Sequence, residues 1–134
     1  MDTTILVVDD SKMQVHLIDK ILRDLGYKNI EMALSCDEAI ASLQTKKIDL
    51  ILSDWHMPGK TGLDLLKHIR AKKESESMPF VMVTTEHDKT KIFDAAKAGL
   101  KNFMFKPVSK DALKKKLYDL AKTYPSLNPP HEGL

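Results

Sequence analysis

The amino-acid sequence predicts an α/β domain: five parallel strands in one sheet, with helices covering both faces as a three-layer sandwich. Three observations lead there. Short apolar runs recur along the chain, and the first of them, Ile5–Val8, is too short for a helix and rich in β-branched residues, the signature of a strand buried on both faces. Segments of helical periodicity, about 10–15 residues long, alternate with these runs, as crossover units between parallel strands do. No internal repeat or low-complexity segment interrupts the alternation, and 134 residues suit one domain whose core needs no staple.

The elements follow in order. After Ile5–Val8, the acidic pair Asp9-Asp10 and Ser11 precede a helix whose apolar residues Val15, Ile18, Leu22 and Leu25 share a face, with Gly26 as its left-handed cap. A short strand is expected near Ile30–Leu34. Ser35 and Glu38 have capping-box spacing and open a helix carrying Ala39, Ile40 and Leu43 on one side. Leu50–Leu52 is a buried strand running into Ser53-Asp54, and Met57-Pro58-Gly59 breaks the chain before a helix marked by Leu63, Leu66 and Ile69. Phe80–Val83 is the fourth strand, ending at Thr84-Thr85. Asp88 is a candidate cap for a helix carrying Ile92, Phe93 and Ala96 and closed by Gly99. Phe103–Phe105 is a last short strand before Lys106-Pro107. Ser109 caps a final helix with Leu113, Leu117 and Leu120 inward. Pro125, Pro129 and Pro130 forbid further helix, so residues 125–134 are expected to form a flexible tail.

Composition excludes several classes. A net charge of +2 with a pI of about 8.6 is too mild to argue for nucleic acid. The run Lys114-Lys115-Lys116 is a solvated helix face or a docking patch for an acidic partner. No apolar run reaches the ~18 residues of a membrane span, and the start Met1-Asp2-Thr3-Thr4 lacks the basic residue and apolar stretch of a signal peptide. The single Cys36 forms no internal disulfide, and a cytoplasmic home is the simpler reading.

In an open parallel sheet, ligands sit at the carboxyl ends of the strands. The residues that follow the apolar runs therefore matter most: Asp9 and Asp10 after the first, Asp54 after the third, Thr84 after the fourth, Lys106 after the fifth. Singly, each has an ordinary explanation as a cap, a turn former or a surface lysine. Together, three acids at one sheet edge repel one another unless a cation holds them. Carboxylates and water suit a hard ion such as Mg²⁺, Ca²⁺ or Mn²⁺ rather than zinc, and Mg²⁺ leaves coordination positions for a phosphate oxygen. Phosphoryl transfer needs an in-line nucleophile and positive charge around three oxygens. Asp54 is placed as the nucleophile, with Mg²⁺, Lys106 and the Thr84 hydroxyl around the oxygens.

The set Asp9-Asp10, Asp54, Thr84 and Lys106-Pro107, with the stretches Val7–Ser11, Ser53–Gly59, Met82–Glu86 and Phe105–Pro107, resembles the receiver domain of two-component response regulators, and its single-domain chemotaxis members in particular. The resemblance covers roughly Thr4 to Lys122, within a receiver domain of residues 1–124. It implies a flavodoxin-like fold of five βα units with strand order 2-1-3-4-5. It implies that Asp54 is the phosphoacceptor. Asp10, Asp54 and the backbone carbonyl of His56 would hold Mg²⁺ directly, with Asp9 acting through water. Lys106 would contact the phosphoryl group, and the peptide before Pro107 would be cis. Thr84 would be the switch hydroxyl and Phe103 the switch aromatic, where the family often has tyrosine. Thr85 stands where a smaller residue is common and would crowd the phosphate. His56, Thr85 and Glu86 occupy positions that bear on the lifetime of the acyl phosphate. Ile92, Phe103 and Lys114 are candidates for the output face.

The expected partners are a sensor histidine kinase as donor and a downstream target such as a flagellar motor switch component, with the chain acting as a monomer and not as an enzyme on a small substrate. A phosphate shuttle, handing the group to a histidine phosphotransfer protein, is the alternative. A Mg²⁺-dependent aspartyl-phosphate phosphatase is disfavoured because His56 stands where such enzymes need a second Asp. A flavin-binding module is disfavoured by the acids, which would repel a phosphate without a metal. A linker to a further domain is another reading of the proline-containing tail.

Overall fold

A computed structural model of the chain describes residues 2–131. The chain alternates strand and helix: β1 (Thr4–Val8), α1 (Lys12–Asp24), β2 (Asn29–Ala33), α2 (Cys36–Thr45), β3 (Leu50–Asp54), α3 (Gly62–Arg70), β4 (Phe80–Thr84), α4 (Lys89–Lys97), β5 (Asn102–Phe105) and α5 (Lys110–Thr123). The strands form one parallel sheet in the order β2-β1-β3-β4-β5. Each expected strand and helix is present, with ends displaced by one or two residues.

Alternate residues of each strand feed two cores. Ile5, Val7, Leu50, Leu52, Val81, Val83 and Met104 face α1 and α5, meeting Val15, Ile18, Leu22, Leu113, Leu117 and Leu120. Leu6, Val8, Ile51, Phe80 and Met82 face α2, α3 and α4, meeting Ala39, Leu65, Leu66, Ile69 and Ala95. β3 and β4 are buried throughout, which is why their sequences run apolar without alternation.

The helix starts follow capping chemistry. Ser11, Ser35, Thr61, Asp88 and Ser109 each accept a backbone N–H of the first turn. At α2 the capping box is half formed, since the Glu38 carboxylate accepts from the Leu34 N–H rather than from Ser35. Gly26, at φ 102°, provides the left-handed turn after α1.

One helix packs more narrowly than its composition suggests, and one expectation changes. In α4, Phe93 is 60% exposed and Ala96 is also outside, while Ala95 is buried and Ile92 half-buried; the helix presents a narrower apolar stripe than its sequence suggests. Residues 125–131, expected to be a flexible tail, lie along the body. Leu127 is buried in the α1–α5 core, the Asn128 carbonyl accepts from the Tyr27 hydroxyl at 2.8 Å, and the His131 N–H donates to the Leu25 carbonyl at 2.8 Å. Thr3 and Asn128 bond reciprocally, Thr3 N–H to Asn128 Oδ1 at 3.1 Å and Asn128 N–H to Thr3 Oγ1 at 2.8 Å. The proline rings remove helical donors but leave these backbone groups free to pair across the fold. Residues 132–134 of the expected tail lie outside the described residues.

Candidate metal and phosphoryl site

The strand order decides which residues meet. β1 lies against β3, β3 against β4 and β4 against β5, so the carboxyl ends of four adjacent strands share one edge. In register, Val8 pairs with Ser53, Asp54 with Val83, and Thr84 with Phe105. The residues just beyond, Asp9 and Lys106, project over the same edge. β2, at the sheet margin, ends in Ala33 and adds no ionisable group there.

Asp9 is buried; its Oδ1 accepts the Ser11 N–H at 2.9 Å, which fixes the carboxylate at the mouth of α1. Asp54 is 8% exposed and accepts the Trp55 N–H on Oδ1 at 2.8 Å. Asp10 is exposed. One carboxylate oxygen from each of Asp9, Asp10 and Asp54 lies within 4.8 Å of the others. The Lys106 ammonium donates to Asp9 Oδ2 at 2.9 Å and lies 3.4 Å from Asp54 Oδ1, and the Lys106–Pro107 peptide is cis.

The electrostatics agree with that picture. Burial pushes the Asp54 carboxyl above its ordinary range, and the neighbouring Asp9 charge adds to the rise; Lys106 and the Trp55 N–H only partly oppose it. At Lys106, burial works against the ammonium, yet the hydrogen bond to Asp9 and the Asp54 charge outweigh it and hold the group above its usual value. Three carboxylates against one ammonium leave the cluster short of positive charge. The donor set is all oxygen, which fits a hard divalent cation.

The loops that frame the site are tied down. Gly62 donates its N–H to the Trp55 carbonyl at 2.8 Å, and a Cβ on Gly62 would overlap the Asp54 carbonyl oxygen and press on Met82 Sδ. Glycine is required there by close approach. Thr84 is fully buried, and its hydroxyl accepts the Glu86 N–H at 2.9 Å, so its own O–H is free to donate. Glu86 spans the mouth: its carboxylate bonds the His56 ring at 3.0 Å, lies 3.2 Å from Lys91 Nζ, and accepts the Asp88 N–H at 3.0 Å. The Asp88 bond, with Lys91 and His56 behind it, outweighs desolvation and holds Glu86 down to about 2.

The structure thus brings together Asp9, Asp10, Asp54 and Lys106, with Thr84 one strand away. Thr85 is exposed at the surface. Phe103 is half-buried, 6.2 Å from the Trp55 ring. Ile92 packs against the core rather than standing free, and Lys114 is half-exposed on α5. Sequence reasoning missed Gly62 and Lys91. The Gly62 signal was a glycine at the start of a helix, where a residue with more helical propensity is usual; Lys91, one of many lysines, carried none.

The family model of the response regulator receiver domain matches residues 5–118. The chain is 39% identical over 113 residues to chemotaxis protein CheY-3 of Vibrio cholerae, covering 84% of this chain and 87% of that protein. It is 39% identical over 120 residues to a chemotaxis protein CheY homolog of Campylobacter jejuni, covering 89% and 92%. Among solved structures, chemotaxis response regulator CheY4 of Vibrio cholerae aligns with a TM-score of 0.82 at 31% identity, over 90% of this chain and 99% of that one. A CheY-like receiver domain protein of Methanospirillum hungatei aligns with a TM-score of 0.83 at 26% identity, over 92% and 96%. With the acid cluster and lysine at the strand ends and this likeness along most of its length, the chain belongs to the response regulator receiver family.

Proposed function

We propose that this chain is a single-domain response regulator that accepts a phosphoryl group on Asp54 from a histidine kinase and thereby switches its binding to a target protein. One observation carries the reading: Asp9, Asp10 and Asp54 converge within 4.8 Å while Lys106 reaches both Asp9 and Asp54. Asp10, Asp54 and the His56 carbonyl would hold Mg²⁺, with Asp9 behind them. The bound ion supplies positive charge against one phosphoryl oxygen. Asp54 attacks the phosphorus in line, the donor's nitrogen leaves, and Lys106 exchanges its carboxylate partner for a second oxygen. The free O–H of Thr84 donates to a third, drawing its loop inward while Phe103 follows.

The relatives named as chemotaxis proteins support chemotaxis as the setting; in this reading the target is a flagellar motor switch component, the compartment the cytoplasm and the working form a monomer. In this reading the chain catalyses only its own phosphorylation and dephosphorylation. The shuttle alternative shares the same site and differs only in the next acceptor.

The test uses Trp55, which sits beside the acceptor. Its fluorescence is followed through a Mg²⁺ titration and then on addition of acetyl phosphate or beryllofluoride, in the native chain and in Asp54→Asn. A metal-dependent change followed by a donor-dependent change that the variant lacks is expected. A donor response retained in Asp54→Asn would refute the assignment of the acceptor.

A further inference from the structure

Three aromatic side chains flanked by two imidazoles form a continuous row beside the site. His87, in the loop between β4 and α4, lies flat on Phe105, with ring centroids 4.5 Å apart and planes at 13°. Phe105 is followed by Phe103 at 6.2 Å and 16°, Phe103 by Trp55 at 6.2 Å, and Trp55 by His56 at 6.1 Å. The row joins the loop after the switch strand to the loop after the acceptor.

The His87–Phe105 step is the tightest contact in the row and the least forced. His87 is exposed and Phe105 is 47% exposed, so burial does not drive the rings together; a stacked pair at this spacing is favourable in itself. The contact also falls at a mechanically informative place. Phe105 pairs in register with Thr84, and the Lys106 N–H donates to the Thr84 carbonyl at 3.0 Å. His87 is held between two fixed neighbours. The Glu86 N–H bonds the Thr84 hydroxyl, and Asp88 caps α4 through the Thr90 and Lys91 N–H groups. A loop so short, anchored at both ends, moves as one piece. If Thr84 shifts toward Asp54, His87 must slide along Phe105 or leave it.

We propose that His87 is a positioning residue of the switch: stacked on Phe105, it tethers the β4–α4 loop in the unphosphorylated arrangement and so sets how much of the phosphoryl binding energy is spent on switching. The proposal rests on the phosphoacceptor reading of Asp54. A ligand that favours the switched arrangement gains apparent affinity when the resting arrangement loses a contact of its own. Removing the imidazole therefore tightens binding of a phosphoryl mimic without touching any group that contacts it.

The experiment measures the beryllofluoride concentration giving half the Trp55 response, at saturating Mg²⁺, in the native chain, in His87→Ala and in His87→Phe, with thermal melts of the unliganded proteins alongside. His87→Ala is expected to bind roughly two- to tenfold tighter, the range a single aromatic stack supports, while His87→Phe, which keeps a flat ring, stays near the native value. Phe105→Leu, which removes the other ring, should match His87→Ala, and the double variant should gain nothing further. A responsive native chain whose affinity equals that of His87→Ala would overturn the tether and leave the acceptor reading intact, as would a His87→Phe that behaves like alanine. A native chain with no beryllofluoride response at all would remove the acceptor reading and the tether together.

Discussion

Asp54 is harder to ionise in the folded chain than in the unfolded one, because it is buried and faces Asp9. Below about pH 4 both states are protonated, and the side chain costs nothing. As pH rises through the elevated folded value, the native protein must carry a charge it disfavours, and stability falls relative to a neutral residue. Asp54→Asn should therefore melt a few °C higher than the native chain at neutral pH without divalent ions, an increment ordinary for a domain of this size. The advantage should vanish as the melts are repeated toward pH 4. An unchanged advantage at low pH would assign the gain to packing rather than charge. Lys106 works in the opposite sense, its ammonium occupying the Asp9 and Asp54 oxygens at 2.9 and 3.4 Å. Lys106→Ala should raise Mg²⁺ affinity roughly three- to tenfold, since a competing cation is gone, yet abolish the beryllofluoride response. Trp55 titrations read both effects, and weaker Mg²⁺ binding in the variant would contradict the competition.

The helices and strands were legible because local chemistry announces them: Ser35, Asp88 and Ser109 cap where their spacing predicts, and the apolar runs become β1, β3 and β4. The C-terminal segment was not legible, because its contacts are long-range. Asn128 meets Thr3 across 125 positions, and no periodicity in a proline-containing stretch reports a single leucine finding a core. Leu127→Ala should cost about 2–4 kcal/mol, the usual range for a buried leucine, measurable as a shift of the urea midpoint. A loss under about 0.5 kcal/mol, ordinary for an exposed site, would mean that the segment does not hold its place in solution. The α3 start tests the same distinction between local and tertiary causes. By propensity alone Gly62→Ala would stabilise a helix by up to ~1 kcal/mol. The Asp54 carbonyl stands where the new methyl must go, so the variant should instead lose stability by roughly 1–3 kcal/mol, as overpacked sites do. A stabilised variant would show that the loop after Asp54 yields easily.

At the scale of the whole molecule, the strand order was the feature that spacing did not contain. Five apolar runs of similar composition name no neighbours, and the order 2-1-3-4-5 came from family resemblance. The site was nevertheless readable, since its residues follow their strands directly, whereas the loop-to-loop contacts of Glu86 and His87 involve polar loop sequence with no periodicity to read. The order matters because it sets β1 beside β3 and so places the acids of both strands on one edge between the two cores. Repulsion among Asp9, Asp10 and Asp54 then weighs on the strand ends that both cores share, and any cation relieving it stabilises the entire domain rather than one loop. A ligand that binds only the folded state at a hundred times its dissociation constant adds about 2.7 kcal/mol, worth on the order of 5–10 °C in Tm for a chain of this length. Saturating Mg²⁺ should therefore raise the melting temperature by about that amount, and a chelator should reverse it. Asp10 is exposed, so Asp10→Asn disturbs little packing; with one of the repelling charges gone, that variant should melt slightly higher than the native chain without metal while losing most of the Mg²⁺ increment. An equal increment in Asp10→Asn would place the ion elsewhere on the molecule, and the acid cluster would then stand as a strained sheet edge without a metal.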